Sequence, residues 1–381
     1  IHVGEFLEHS HLAYENLIKQ SPETESEYEH SEEDVHMMMY TSGTTGKPKG
    51  VMLTHGNTQW NAINIIQYLA LSHEDTTLAV APLFHIGGMN VFTTPMLYKG
   101  GTVVLQDVFQ PSDVLRNIAE HKVSTLFLVP AMWMALMHSP EIKETDISSL
   151  RLNVSGGAPC PLPIIEYFHK WKIPFYEGFG LTETAPFVCL LDDENVERKN
   201  GSVGKTPMHT RIRIVDHLDH DVSLGEVGEL IVKGPNVFKG YWNKPKETKQ
   251  VIKDGWFYTG DLATQDEEGF IYIVDRKKDM IISGGENIYP VEIEQVLFKN
   301  KSVKDVAVIG IADEKWGEAP LAYIVKQEGE HAITPESLHQ FCDGKLAKFK
   351  IPKQIEFVSE LPRNATGKIL KTKLRRMSEV K

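Results

Sequence analysis

Short apolar runs alternate with helical patterns through much of the chain. The runs at 78–82, 102–105 and 125–129 predict strands, and 112–121 predicts a helix. The longest apolar run, 126–137, is interrupted by Pro130 and reads as a buried strand followed by a helix. Strands alternating with helices at this spacing imply an α/β sheet with mostly parallel neighbours. From about Ser202 the pattern changes to short alternating runs at 211–215, 228–233 and 270–274, punctuated by Gly and Pro. That suits a small antiparallel or barrel-like unit. Beyond Arg276 the pattern predicts a helix at 290–298 with Pro at its start, strands at 303–311 and 321–326, and a helix at 335–345. The expected fold class is therefore α/β. A large multi-subdomain unit of mixed sheets, helices and the barrel-like part fills 1–277, and a small α+β unit fills 278–381.

Length and composition narrow the function. A chain of 381 residues can bury two or more cores. Its formal net charge of −12 argues against a nucleic-acid binder. The early acidic stretch (Glu23, Glu25, Glu27, Glu29, Glu32, Glu33) reads as a solvated linker. The basic C-terminus (Lys368, Lys371, Lys373, Arg375, Arg376) fits either a solvated helix face or a surface for a polyanion. Cys160, Cys189 and Cys342 show no CxxC pairing, which suits buried thiols in a reducing, cytoplasmic setting. His217 and His220 sit among aspartates in a turn-like run, where surface crowding explains them better than a metal site. The sequence shows no signal-peptide pattern, and no apolar run reaches the roughly 18 residues of a membrane span.

The densest chemistry lies at 40–50, Tyr-Thr-Ser-Gly-Thr-Thr-Gly-Lys-Pro-Lys-Gly. Glycines let the backbone approach a ligand closely, while hydroxyls, amides and lysines offer donors to phosphate oxygens. A Walker A loop is excluded, because Gly43 and Gly46 are too close together and Pro48 follows Lys47. Pro48 also disfavours a helix starting directly after the lysine.

This run resembles the phosphate-binding signature of the adenylate-forming (AMP-binding) superfamily. Four more segments, at 176–183, 255–261, 275–279 and 362–368, match that family's motifs in order. The resemblance is nearest to a fatty-acid or related acyl-CoA ligase. It implies an enzyme that couples a carboxylate to AMP with release of pyrophosphate and then passes the acyl group to CoA. ATP, Mg²⁺ and coenzyme A are the implied cofactors. The match starts partway into the family's pattern, so the large domain is expected to lack its N-terminal part.

The resemblance also assigns roles. Thr41, Ser42, Gly43, Thr44, Thr45, Gly46 and Lys49 would grip the β- and γ-phosphates. Thr182 and Glu183 would meet the α-phosphate and Mg²⁺, an ion usually held by one or two carboxylates plus phosphates. Gly157, Ala158 and Pro159 would lie along adenine with Glu177, Gly178 and Phe179. Asp261 and Arg276 would hold the ribose. His85, in Pro82-Leu-Phe-His85, would sit near the reacting carbonyl. Lys368 would be the catalytic lysine, reaching from a mobile small domain to the carboxylate and α-phosphate. Lys278 aligns with the hinge of that domain, and Gly285 with a segment that faces the site during thioester formation and leaves room for the pantetheine arm.

Ala131, Trp133, Met134, Gly178, Thr184, Ala185 and Pro186 are the candidates for the acid pocket. A medium- or long-chain fatty acid is favoured, with an aryl or dicarboxylic acid second. An adenylation domain serving a carrier protein, a luciferase-like enzyme and a catalytically inactive ATP- or acyl-binding protein stay as alternatives. The motifs leave a homodimer open.

Overall fold

The computed structural model describes residues 13–24, 28–41, 48–327, 329, 333–363 and 369–379. Its first working element is an antiparallel hairpin, β1 (Val35–Thr41) and β2 (Lys49–Thr54), whose register pairs Thr41 with Lys49 at the open end. β2 runs directly into a helix, His55–Leu69, through a reciprocal cap in which Thr54 and Asn57 each satisfy the other's backbone N–H. The apolar pattern does not reveal this helix, because its buried face carries Asn57, Asn61 and Asn64.

A six-stranded sheet follows: β3 (Thr76–Ala79), β4 (Thr102–Leu105), β5 (Thr125–Leu128), β6 (Leu152–Gly156), β7 (Tyr176–Gly180) and β8 (Phe187–Leu191). Its order is β4-β3-β5-β6-β7-β8, parallel except for β8. Both faces are covered, as parallel sheets require. Helices Pro111–His121, Pro130–His138 and Leu162–Lys170 bury Leu126, Trp133 and Phe168 on one face. Helix His55–Leu69 and Phe92 cover the other. Pro130 stands in the first helical turn, so it divides strand from helix as the sequence predicts.

The barrel-like unit is an antiparallel sheet of β9 (Arg211–Val215), β10 (Gly228–Lys233), β12 (Ile252–Lys253), β13 (Trp256–Gln265) and β14 (Ile271–Arg276). The two-residue β11 (Gly240–Tyr241) leaves this unit and pairs with β2, tying the barrel to the hairpin. The last unit contains β15 (Ile281–Ser283), β16 (Glu286–Ile288), β17 (Val303–Asp313), β18 (Gly317–Lys326) and β19 (Gln354–Val358). Helices Pro290–Phe298 and Pro335–Cys342 pack on it around Ile293, Leu297, Val308 and Leu338. The second helix stops short of its predicted end, since Asp343 is extended and Gly344 has φ of +73°. In the terminal helix Lys371–Glu379, Lys371 bonds to Glu294 at 2.8 Å and Arg375 to Asp279 at 2.6 Å. Part of the basic tail is thus spent on the fold.

Candidate active site

The carboxyl ends of β3, β6 and β7 open on one side of the six-stranded sheet, where ligands of α/β folds bind. The segment after β6 exposes Gly157, Ala158 and Pro159, and Gly157 has φ of +83°, a conformation suited to glycine. Gly156 pairs with Gly178 on β7, one residue before Phe179. The Phe127 ring fills the space a side chain on Gly156 or Gly87 would need, 3.1 and 2.8 Å away. That single ring lies between the His85 segment and the end of β6, where the 157–159 loop begins. Burial lowers the His85 pKa, favouring neutral imidazole, and its Nε2 has no hydrogen-bond partner.

After β7 the chain turns sharply. A side chain on Gly180 would lie 1.7 Å from the Pro186 carbonyl oxygen, so only glycine fits. The turn holds Thr182 and Glu183 half-buried and is anchored by asparagines that the sequence does not single out. Asn236 donates to the Thr184 and Phe187 carbonyls at 2.8 and 2.9 Å, and Asn90 donates to that of Ala185 at 3.2 Å. Asn61 accepts from the Phe187 N–H at 3.0 Å and donates to the Asn90 carbonyl. All three are fully buried.

Tyr241 is the other residue the motifs missed. Its hydroxyl donates to Glu183 Oε1 at 2.8 Å, and the Lys49 ammonium lies 4.7 Å from its ring centre. Burial and the neighbouring Glu183 push the phenol pKa upward, against a smaller opposing effect of Arg276. Tyr241 therefore joins the hairpin and the Glu183 turn. Its sequence signal was weak, one of two aromatics (Tyr241, Trp242) after Gly240 outside the recognised motifs.

Asp261 on β13 and Arg276 on β14 are register partners, with Nε to Oδ1 at 2.8 Å. Asp261 is buried and Arg276 partly exposed, an acceptor backed by a cation. Lys278 follows, its pKa lowered by burial despite Asp279. Gly285 has φ of +89° in the two-residue turn between β15 and β16. Glu177 lies inside, behind the 157–159 loop. Its Oε1 accepts from the Cys160 N–H at 2.9 Å, its Oε2 has no partner, and burial raises its pKa to about 7. Trp133 is plain core, stacked edge-on against Phe168 and Phe175. Ser42, Gly43, Thr44, Thr45, Gly46 and Lys368 lie outside the described residues.

The donor set suits ATP: a carboxylate for sugar hydroxyls, cations for phosphate, an exposed Gly-Ala-Pro loop for a flat base, and one carboxylate for Mg²⁺. Among the described residues no group of three or more His, Cys, Asp or Glu could hold a metal, so Mg²⁺ would depend on phosphate oxygens. No described helix is long and apolar enough to cross a membrane.

Residues 2–242 match the AMP-binding enzyme family, and residues 292–368 match the AMP-binding enzyme C-terminal domain. The chain belongs to the AMP-binding enzyme family. It is 44% identical over 344 residues to a feruloyl-CoA synthase from Amycolatopsis sp, covering 90% of this chain and 70% of that one. An indoleacetate–CoA ligase from Aromatoleum aromaticum is 42% identical over 341 residues, covering 90% and 67%. The o-succinylbenzoate CoA synthetase of Bacillus subtilis, solved with its acyl-adenylate intermediate, superposes with a TM-score of 0.86 at 38% identity, covering 96% of this chain and 74% of that one. The same enzyme has been solved with ATP and magnesium. As a family member the chain is an acid–thiol ligase, and adenylate-forming CoA ligases use ATP, Mg²⁺ and CoA.

Proposed function

We propose that this enzyme activates an aromatic carboxylic acid as its acyl-adenylate and transfers the acyl group to CoA. The observation that carries the reading is identity above 40%, over nine-tenths of the chain, to ligases named for ferulate and indoleacetate. The fatty acid favoured by the sequence gains no support from these relatives, nor does a homodimer. Three buried free cysteines fit a cytoplasmic setting.

Carboxylate and triphosphate are both anions, so the residues must hold them together and neutralise charge as pyrophosphate leaves. Lys49 and the neighbouring loop would bind the β- and γ-phosphates. Thr182 and Glu183 would meet the α-phosphate, with Tyr241 fixing the rotamer of Glu183. Asp261 would accept from the ribose hydroxyls while Arg276 holds it in place. Neutral His85 would orient the acid, and Lys368 would stabilise the charge that shifts between oxygens as the bond forms. Glu183, together with phosphate oxygens, would hold Mg²⁺, which would supply charge neutralisation.

The division at 277/278 is part of the proposal. Lys277 is clasped to the barrel by its N–H on the Gly260 carbonyl (2.9 Å) and its ammonium on Glu229 (2.7 Å). Asp279 is held from the other side by Arg375. Lys278 lies between the two clasps, inside a turn closed by the Asp279 and Met280 N–H groups on the Arg276 carbonyl (2.8 and 3.1 Å), where a hinge would turn.

Acid-dependent ATP–pyrophosphate exchange tests the reading, with ferulate, indoleacetate, o-succinylbenzoate and fatty acids of increasing length, followed by thioester detection with CoA. Exchange with an aryl acid and a CoA product is expected. Exchange with fatty acids alone would refute the aryl assignment, and ATP binding without exchange would indicate a binding protein.

A further inference from the structure

We infer that Asp275 is a positioning residue that latches the small domain to the large one, by capping a helix across the hinge. The inference rests on the proposed division at Lys278. Helix Pro290–Phe298 belongs to the small domain, where Ile293 and Leu297 are buried and Glu294 accepts from the Val308 N–H at 2.8 Å. Its own cap residue, Tyr289, provides no side-chain acceptor, and Pro290 has no N–H to offer. The first free donor is therefore the Val291 N–H. It is satisfied by Asp275 Oδ2 at 3.0 Å, from the penultimate residue of β14 in the large domain.

The arrangement is specific. Asp275 is buried, and its second oxygen accepts from the Arg276 N–H at 2.6 Å. Lys371, on the terminal helix, adds attraction, whereas Glu294 opposes it. β14 and helix Pro290–Phe298 are packed against each other at the junction. A small domain turning about Lys278 must pull Val291 off Asp275. Any second arrangement then leaves a helix start uncapped and a carboxylate without its partner. Asp275 thus biases the enzyme toward the arrangement seen here without touching substrate.

The measurement is limited trypsin digestion at the Arg276–Lys278 hinge, read as the fragment pair divided at that point, alongside the two half-reactions. Asp275→Ala should speed hinge cleavage relative to cleavage elsewhere by roughly 2- to 30-fold, the population ratio that one helix cap controls. The ratio of adenylate formation to thioester formation should move by a comparable factor. Asp275→Asn keeps an acceptor, and Asn caps helices about as well as Asp, so it should stay within about twofold of the parent. Hinge cleavage unchanged in Asp275→Ala, or equally fast in both variants, would overturn the latch. If the enzyme proves inactive on every acid, the cleavage result still decides the latch independently of the functional reading.

Discussion

The turn carrying Glu183 hangs from three buried asparagines, whereas the latch proposed for the small domain is a carboxylate on one backbone amide. The first arrangement cannot shift without stranding several buried polar groups, at about 1–3 kcal/mol each. The second can exchange partners with water when it opens. On the proposed reading, nucleotide binding falls to the part of the molecule least able to move, and the choice between half-reactions to the part most able to.

The largest effect that tests this contrast is Lys368→Ala. Adenylate formation should fall by roughly 10²- to 10³-fold, the usual cost of removing one donor to developing charge. Thioester synthesis from supplied acyl-adenylate should keep most of its rate. Equal loss of both steps would mean that the two units do not divide the chemistry.

Asp261→Ala comes next and strikes the fixed half. It removes a charged hydrogen-bond acceptor and leaves Arg276 without its 2.8 Å partner. A loss of about 1.5–3 kcal/mol, or roughly 10- to 150-fold, should appear mainly as a higher KM for ATP. An unchanged KM would remove Asp261 from the ribose site. Tyr241→Phe should cost less, roughly tenfold in kcat/KM for MgATP, since the ring under Lys49 remains and only the bond to Glu183 is lost. A variant with unaltered Mg²⁺ dependence would show that Glu183 orients without help.

The same contrast separates what the sequence reveals from what it hides. Thr182, Glu183, Asp261 and Arg276 stand in short motifs, and their proposed roles come from the resemblance of those motifs to the family's rather than from the residue types alone. The strands at 102–105, 211–215 and 228–233 and the helix at 290–298 match their predicted bounds, because local apolar runs and a first-turn proline specify them. Asn61, Asn90 and Asn236 were invisible, since asparagine in a chain reads as surface or turn until the fold encloses it. Tyr241 was hidden for a related reason: its partners Lys49 and Glu183 come from distant segments. Asp275 was legible as a motif residue, but its bond to Val291 depends on how two units meet.

The smallest effect on turnover, and the sharpest on stability, concerns Glu177 behind the loop. Folding raises this carboxyl from its ordinary 4.5 to about 7, chiefly by burial, with the Cys160 N–H partly opposing the shift. Below pH 4.5 the group is protonated whether the chain is folded or not, and its contribution to stability is complete. As pH rises toward 7 the unfolded chain ionises first, so the folded state loses stability, by an amount on the order of 3 kcal/mol across the window. Glu177→Gln should abolish that slope while its amide oxygen still accepts from the Cys160 N–H. Thermal melts of parent and variant at pH 5 and pH 8 would read the difference. The parent should lose more melting temperature between them than the variant, with ATP–pyrophosphate exchange changed by no more than about twofold, because a stability shift in a well-folded enzyme leaves the site residues in place. Parallel losses in the two proteins would show that Glu177 stays ionised in its buried seat, and the loop's support would then have to be a charge held by the Cys160 amide alone.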